Sequence, residues 1–399
     1  MSAVRRALVV AKAPRPGRAK TRLAPGVPAE LGTGLAEAML LDTVDACREE
    51  ADEVGLLCPD ESHAADLRAL VGPDVAVRVQ RGRGLRAALR EEMLVGTRAG
   101  ALAIVSSDIP GLPRGELTRA LELLREGADL VLGPALDGGY WLIAMTRFHE
   151  APFTGIPWST PACAGVTLRR ARDAGLRTEL VGEWLDLDTA VDLSLAIHAP
   201  PGPLGARTGQ ALARIASSIE VPGPPAGRLI GSEVVVASPG RALLRDRLEE
   251  DGATPRDHLY LAVPRAVLTV AVTAGGEVLL VRRYRHPVRD WTLEAPAGPV
   301  EDGEPPQAAA ARGLAEEVGG RGGTWRHLGT SFSSSAHLSL RSDAFLATGV
   351  EVDPARPRDE EEVTVVRMPV GEALDHARSG RIVDGQTALC LLLAASHLE

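Results

Sequence analysis

Residues 6–23 read RALVVAKAPRPGRAKTRL, a short apolar run followed at once by a loop of proline, glycine and cations. A run this short, bounded by turn residues, reads as a buried strand and not as a signal peptide. Working outward, the texture alternates. A helical pattern fills GTGLAEAMLLDTVDACREE (32–50), then come VGLLC (54–58), DLRALVG (66–72), VAVRVQ (75–80), ALAIVSSD (101–108), helical GELTRALELLREG (115–127) and DLVLGPA (129–135). Short apolar runs alternating with amphipathic helices predict an α/β domain, a mainly parallel sheet with helices on both faces. Such sheets bind ligands beyond the carboxyl ends of their strands. The residues just after VVA, IVSS and VLGP are therefore the ones to inspect.

The 399 residues are 45% hydrophobic and 24% charged, ordinary globular values in a chain long enough for two domains. No apolar run approaches the roughly 18 residues of a membrane span, and we expect a cytoplasmic protein. Cys47, Cys58, Cys163 and Cys390 are scattered, which argues against a zinc site or a disulfide framework. A net charge of −9 argues against wholesale nucleic-acid binding. Residues 1–29 nevertheless hold seven basic side chains and no acidic one, and the only two lysines of this arginine-rich chain, Lys12 and Lys20, both lie there. That segment is expected to face an anion. Proline and glycine clusters flank one short helical stretch between 199 and 227, so the expected division is 1–198, a linker 199–227, and 228–399. The last part reads as strand-like runs around few helices, including SEVVVAS (232–238), AVLTVAV (266–272), EVLLVRRY (277–284), HLSLRSDAFLA (337–347), EVTVVRMP (362–369) and a final helix over 387–398. That is an α+β pattern.

In the first domain, Gly17 allows a tight turn in which Lys12, Arg15, Arg18, Lys20 and Arg22 gather on one strand end, a natural cradle for a di- or triphosphate. Asp108 ends the strand ALAIV, where a carboxylate can hold a hard divalent cation or simply cap a turn. Asp137 precedes Gly138 and Gly139, which allow close approach of a ligand, and Tyr140 or Trp141 offers a ring for a base or sugar. A plain hairpin turn explains the same Asp-Gly pair. Asp186 and Asp188 stand two apart, on one face of an extended segment, and repel each other unless a cation lies between them. Capping of a helix near Thr189 competes for Asp188.

The ordered strings AKAPRPGRAKTRL, SSDIPGLP, GPALDGGYWLI, IPWST (156–160) and LDLDTAVDL resemble the bacterial glycosyltransferase-A-fold family that is similar to the phospholactate guanylyltransferases of cofactor F420 synthesis. The resemblance covers residues 4–198. It implies a nucleotide-binding domain with Mg²⁺ or Mn²⁺, Lys12, Arg18, Lys20 and Arg22 on phosphates, and Asp108 with Asp186 or Asp188 on the metal. One departure stands at 80–89, QRGRGLRAAL, where Arg83 replaces an expected acid and alters the acceptor side. The donor would be a nucleoside triphosphate or a nucleotide-sugar, the acceptor a small phosphorylated or hydroxyl compound. Five cations favour the triphosphate, whose leaving pyrophosphate needs more charge neutralised.

Residues 298–320, GPVEDGEPPQAAAARGLAEEVGG, space Gly298, Glu304, Arg312, Glu316, Glu317 and Gly319 as the Nudix box GX5EX7REUXEEXGU does. Carboxylates one turn apart on a helix share a face and can bind Mg²⁺ or Mn²⁺ against a diphosphate. The flanking text from about 228 to 399 resembles the ADP-ribose pyrophosphatase branch. That resemblance implies Arg312, Glu316, Glu317 and a downstream Glu361, with Glu360 close behind, as the working residues. Gly313 stands where the box has glutamate and Gly320 where it has an aliphatic residue. The expectation is thus a transferase fused to a Nudix domain of reduced or lost activity. A Nudix pyrophosphatase of ADP-ribose-like compounds as the main activity, and a non-enzymatic nucleotide sensor, are the alternatives. The oligomeric state is left open.

Overall fold

The structure, a computed structural model, describes residues 4–20, 23, 26–82, 84–198, 204–221, 223, 227–250, 254–301, 303–353 and 364–398. Its contacts divide the chain into two units, Met1–Leu259 and Tyr260–Glu399.

In the first unit a seven-stranded sheet is built from β1 (Arg6–Val10), β2 (Glu53–Cys58), β3 (Ala76–Val79), β4 (Leu102–Ser106), β5 (Leu130–Pro134), β6 (Tyr140–Met145) and β7 (Thr178–Leu180), in the order β3-β2-β1-β4-β6-β5-β7. Only β6 runs against its neighbours; the pairs β1–β2, β1–β4, β2–β3 and β5–β7 are parallel. The alternation in β1 explains the two-sided cover. Ala7 and Val9 enter one cluster with α1 (Ala29–Glu50), α2 (Glu61–Val71) and α4 (Glu116–Arg125), whereas Leu8 enters the opposite one with α3 (Gly84–Gly96) and α5 (Cys163–Asp173). The strand order reverses between β1 and β4, and at such a point the loops beyond two adjacent strands diverge and leave a crevice.

Two helices complete this unit, α6 (Ala190–Ile197) and α7 (Ala206–Ser218). The short helix expected within a linker is α7, and it is not a free connector. Leu212 and Ile215 join Leu35 and Met39 of α1, Leu193 of α6, Leu23 and Leu187 in one buried cluster. A three-stranded sheet follows, β8 (Gly227–Ser238), β9 (Arg241–Glu250) and β10 (Arg256–Ala262), in which β8 and β9 are antiparallel.

The second unit is a mixed sheet of β11 (Ala266–Thr273), β12 (Glu277–Arg285), β13 (Asp290–Glu294), β14 (Ala297–Pro299), β15 (Gly320–Phe332), β16 (Arg341–Val352) and β17 (Thr364–Pro369). Alternation again sets the layers. Leu268, Val270 and Val272 face α9 (Val370–Arg378) and α10 (Gly385–Ala395), while Val267 and Ala271 belong to the clusters of α8 (Pro306–Val318). The α/β first part and α+β second part stand as expected. Among the described residues no helix is long and apolar enough to cross a membrane.

Candidate functional site

The crevice beyond β1 and β4 is organised around one lysine. Lys20 Nζ donates to Asp108 Oδ1 at 2.6 Å and Asp188 Oδ1 at 3.2 Å, and its side chain is only 3% exposed. Its backbone has φ +50°, the left-handed region that costs a residue with a Cβ. Asp108 lies two residues past the end of β4. Its carbonyl accepts from Leu187 N at 2.9 Å, which ties the β4 loop to the Asp186–Asp188 segment. That segment is extended without being a strand, and its alternation still works. Leu187 drops into the core, leaving the flanking aspartates on the Lys20 side. Thr189 caps α6 through a capping box with Asp192, so Asp188 is spared that task and keeps its carboxylate for Lys20.

Burial opposes the Lys20 ammonium, but Asp108, Asp188 and Asp186 outweigh it and hold its pKa above the ordinary value. Asp186 is raised as well, which for a carboxyl favours the neutral form. Burial, then the negative charges of Asp108, Asp188 and Asp137, push its carboxyl well above the usual range. Asp186 Oδ1 is buried without a hydrogen-bond partner.

In the second unit the helix α8 presents an ordered acid face. Arg312 grips Glu304 through two bonds of 3.0 and 2.9 Å, reaches Glu316 at 3.2 Å, and donates to the Pro299 carbonyl. The Arg312 guanidinium holds Glu304 below its usual pKa. Glu317 is taken by Arg283 and by Ala297 N. At Gly313 an added Cβ would meet the Ala297 carbonyl oxygen at 3.3 Å, so the helix lies close against β14 there. Gly320 has a similar cause, since a Cβ would come within 2.8 Å of Leu314 Cγ.

Residues 43–160 match the family described as an uncharacterized protein conserved in bacteria (DUF2064), and 262–385 match the NUDIX domain. The chain is 34% identical over 210 residues to the 3-phospho-D-glycerate guanylyltransferase of Phenylobacterium zucineum, covering 50% of this chain and 92% of the relative. It is 32% identical over 212 residues to the phosphoenolpyruvate guanylyltransferase of Geodermatophilus obscurus, 51% and 94% of the two chains. It is 32% identical over 130 residues to the ADP-ribose pyrophosphatase of Bacillus subtilis, 32% and 70%. The chain joins a guanylyltransferase-family domain to a Nudix-family domain.

Within the guanylyltransferase-family domain, the expected residues divide into those that meet and those that do not. Lys20, Asp108, Asp186 and Asp188 come together. Arg15 is drawn to α2, bonded to Asp66 at 2.7 Å and Ser62 at 2.6 Å. Lys12 and Arg18 are exposed, Gly17 has the turn conformation at φ +69°, and Arg22 lies outside the described residues. Asp137 accepts from Gly139 N at 2.8 Å in the β5–β6 hairpin, the turn geometry that Asp-Gly signals. Trp141 is not a stacking platform. It is 1% exposed in the core and donates to the Gly182 carbonyl. Tyr140 is half-buried, edge-on to Trp158 with ring centroids 6.2 Å apart.

Sequence reasoning missed His63, whose Nδ1 accepts from Ala13 N and pins the basic loop to α2. It also missed Trp184, which donates to the Gly111 carbonyl at 2.7 Å. In the Nudix-family domain Arg312, Glu304 and Glu316 meet as their spacing implied, and Glu360 and Glu361 lie outside the described residues. Among the described residues, no three His, Cys, Asp or Glu side chains are so placed as they stand that they could hold a metal ion.

Proposed function

We propose that the N-terminal domain transfers a guanylyl group from GTP to a small phosphorylated carboxylic acid and releases pyrophosphate. The observation that carries this reading is the cluster of a buried Lys20 with Asp108 and Asp188 at the reversal of the strand order. Its support is that the two relatives matched over nearly their whole length are named for guanylyl transfer to such acids. An acceptor phosphate oxygen attacks the α-phosphorus in line. The bond from the α-phosphorus to the α,β-bridging oxygen breaks, and pyrophosphate leaves with the electron pair on that oxygen, its charge met by Lys20, Lys12 and Arg18. No covalent enzyme intermediate is needed.

The chemistry of the donors suits a hard divalent cation: Asp108 and Asp188 already share one positive charge, and Asp186 beside them keeps a buried oxygen that lacks a partner. Asp108, Asp186 and Asp188 would hold Mg²⁺ or Mn²⁺, which supplies charge neutralisation on the triphosphate when bound. The four cysteines are free and buried, and we place the protein in the cytoplasm.

We assign the Nudix-family domain weak or lost hydrolysis. Gly313 removes one box carboxylate, and arginines or a backbone N–H hold Glu304, Glu316 and Glu317. The test is to incubate the full chain with GTP, Mg²⁺ and 3-phosphoglycerate or phosphoenolpyruvate and to read pyrophosphate. Release should require the acceptor and fall by about 10²–10³ in Lys20→Met. Turnover of nucleotide-sugars with no acceptor-dependent pyrophosphate would overturn the reading.

A further inference from the structure

We propose that Lys20 stands in the place of the divalent cation in the nucleotide-free protein, so that metal and nucleotide enter the crevice as a coupled pair. This rests on the reading of the crevice as a metal–nucleotide site. It takes a further consequence from the same cluster: the Lys20 ammonium bridges Asp108 at 2.6 Å and Asp188 at 3.2 Å, with a side chain 3% exposed. Asp186 lies in the same field, its Oδ1 buried and without a hydrogen-bond partner. Meeting phosphate accounts for a lysine here only once nucleotide is bound, and does not by itself account for its burial among carboxylates. Holding those carboxylates together until a metal replaces it accounts for that burial.

The chemistry of the residue supports this role. An ammonium is a compact point charge with three donors, the nearest side-chain analogue of a small cation, whereas a guanidinium is planar and fixed in its fork. The chain carries 44 Lys and Arg residues, yet only Lys12 and Lys20 are lysine. The left-handed backbone at Lys20, φ +50°, is a conformation disfavoured for a residue with a Cβ, and it is compensated here by the two ion pairs. Triphosphate oxygens offer Lys20 an alternative partner and the incoming cation offers the carboxylates one. Each ligand therefore removes the obstacle to the other, and the coupling is reciprocal.

The experiment measures Mn²⁺ binding to the full chain by loss of the free-ion electron paramagnetic resonance signal, with and without a non-hydrolysable GTP analogue. The proteins are wild type, Lys20→Met, Lys20→Arg and the double variant Lys20→Met with Asp108→Asn. Without nucleotide, Lys20→Met should bind one Mn²⁺ about 10- to 100-fold more tightly than wild type. Lys20→Arg, which keeps the charge, should stay as weak as wild type, and the double variant should lose the tight site. After subtraction of the Mn²⁺ that the analogue binds in protein-free solution, the analogue should tighten Mn²⁺ binding by a larger factor in wild type than in Lys20→Met. Equal or weaker binding in Lys20→Met, or a tight site that survives Asp108→Asn, overturns the proposal. A tight site in Lys20→Met beside a wild type that the analogue leaves unaffected removes the coupling and overturns the proposal as well, whereas the guanylyl-transfer reading falls separately, on absent acceptor-dependent pyrophosphate.

Discussion

Asp42 shows how much one buried carboxylate can organise. It lies on α1, 8% exposed, and accepts from Thr208 N at 2.8 Å, Thr208 Oγ1 at 2.9 Å and Arg207 at the start of α7. A carboxylate over the first N–H groups of a helix satisfies donors that have no partner within the helix. The same corner touches the crevice, because Gly205 N donates to the Pro110 carbonyl, two residues past Asp108. Asp42→Ala leaves the buried Thr208 donors unmet, which should cost about 2–3 kcal/mol. Calorimetry should show the first unit melting roughly 4–12 °C lower; an unchanged melting temperature would mean that α7 is held by its apolar face alone. Nothing in the sequence signals this role, since Asp42 sits in an apolar helical run and its partners lie 165 and 166 residues on. Lys20 was legible for the opposite reason. A rare residue type in a basic loop at a strand end is a local signal, whereas its carboxylate partners could be placed only by the fold.

At the scale of the element, tight approaches decide. The β5–β6 hairpin turns at Gly138, φ +84°, with its α-carbon pressed on Pro161 so closely that a Cβ would stand 1.9 Å from the carbonyl oxygen. Gly138→Ala therefore combines a backbone penalty with a clash against backbone, and should cost about 3 kcal/mol or more, read as the midpoint of urea unfolding. A shift of under about 0.5 kcal/mol would show that the hairpin relaxes freely. Helix α8 gives the complementary case. Gly313→Glu restores the box carboxylate and removes a mid-helix glycine that costs about 1 kcal/mol. Its Cβ needs the Ala297 carbonyl to give by a few tenths of an ångström. Mg²⁺-dependent ADP-ribose turnover should then rise by about tenfold or more; no gain would place the defect elsewhere than at Gly313. Elements with two-sided apolar alternation, such as β1, β4 and β11, could be read directly from the sequence. Strands β9 (RALLRDRLEE) and β15 (GRGGTWRHLGTSF) could not. Their charge and glycine hide the period of two, and pairing with β8 and β16 makes them strands.

For the molecule as a whole, the two units carry their acid sensitivity differently. In the second unit burial alone would raise the pKa of Asp343, but hydrogen bonds from Arg265 and Thr330, the Arg265 charge and His327 reverse that and hold it below the ordinary carboxylate value. Glu294 behaves alike, with burial overcome by hydrogen bonds from Arg285 and Thr292 and by the charge of Arg283. Both side chains are almost fully covered, at 1% and 9% exposure. The depressed carboxyls of the first unit, Asp52, Asp60 and Glu150, lie at the surface, where solvent screens their pairs. A carboxyl whose folded pKa is depressed gives its full stabilisation above the unfolded value of about 4 and loses it as pH falls through the folded value. Losing one partner of a buried pair costs roughly 3–5 kcal/mol. Acidification from pH 7 to below 4 should therefore lower the melting temperature of the second unit by roughly 10 °C more than that of the first. Pulsed hydrogen exchange read by mass spectrometry follows peptides of each unit within the intact chain. Peptides from β11, β12 and β16 should lose protection at higher pH than those from β1 and β4. Asp343→Asn, which removes the titrating group, should lower the neutral stability of the second unit and flatten its pH dependence. Simultaneous loss of protection in both units, or an unflattened profile in that variant, would show that these two buried pairs do not set the acid limit.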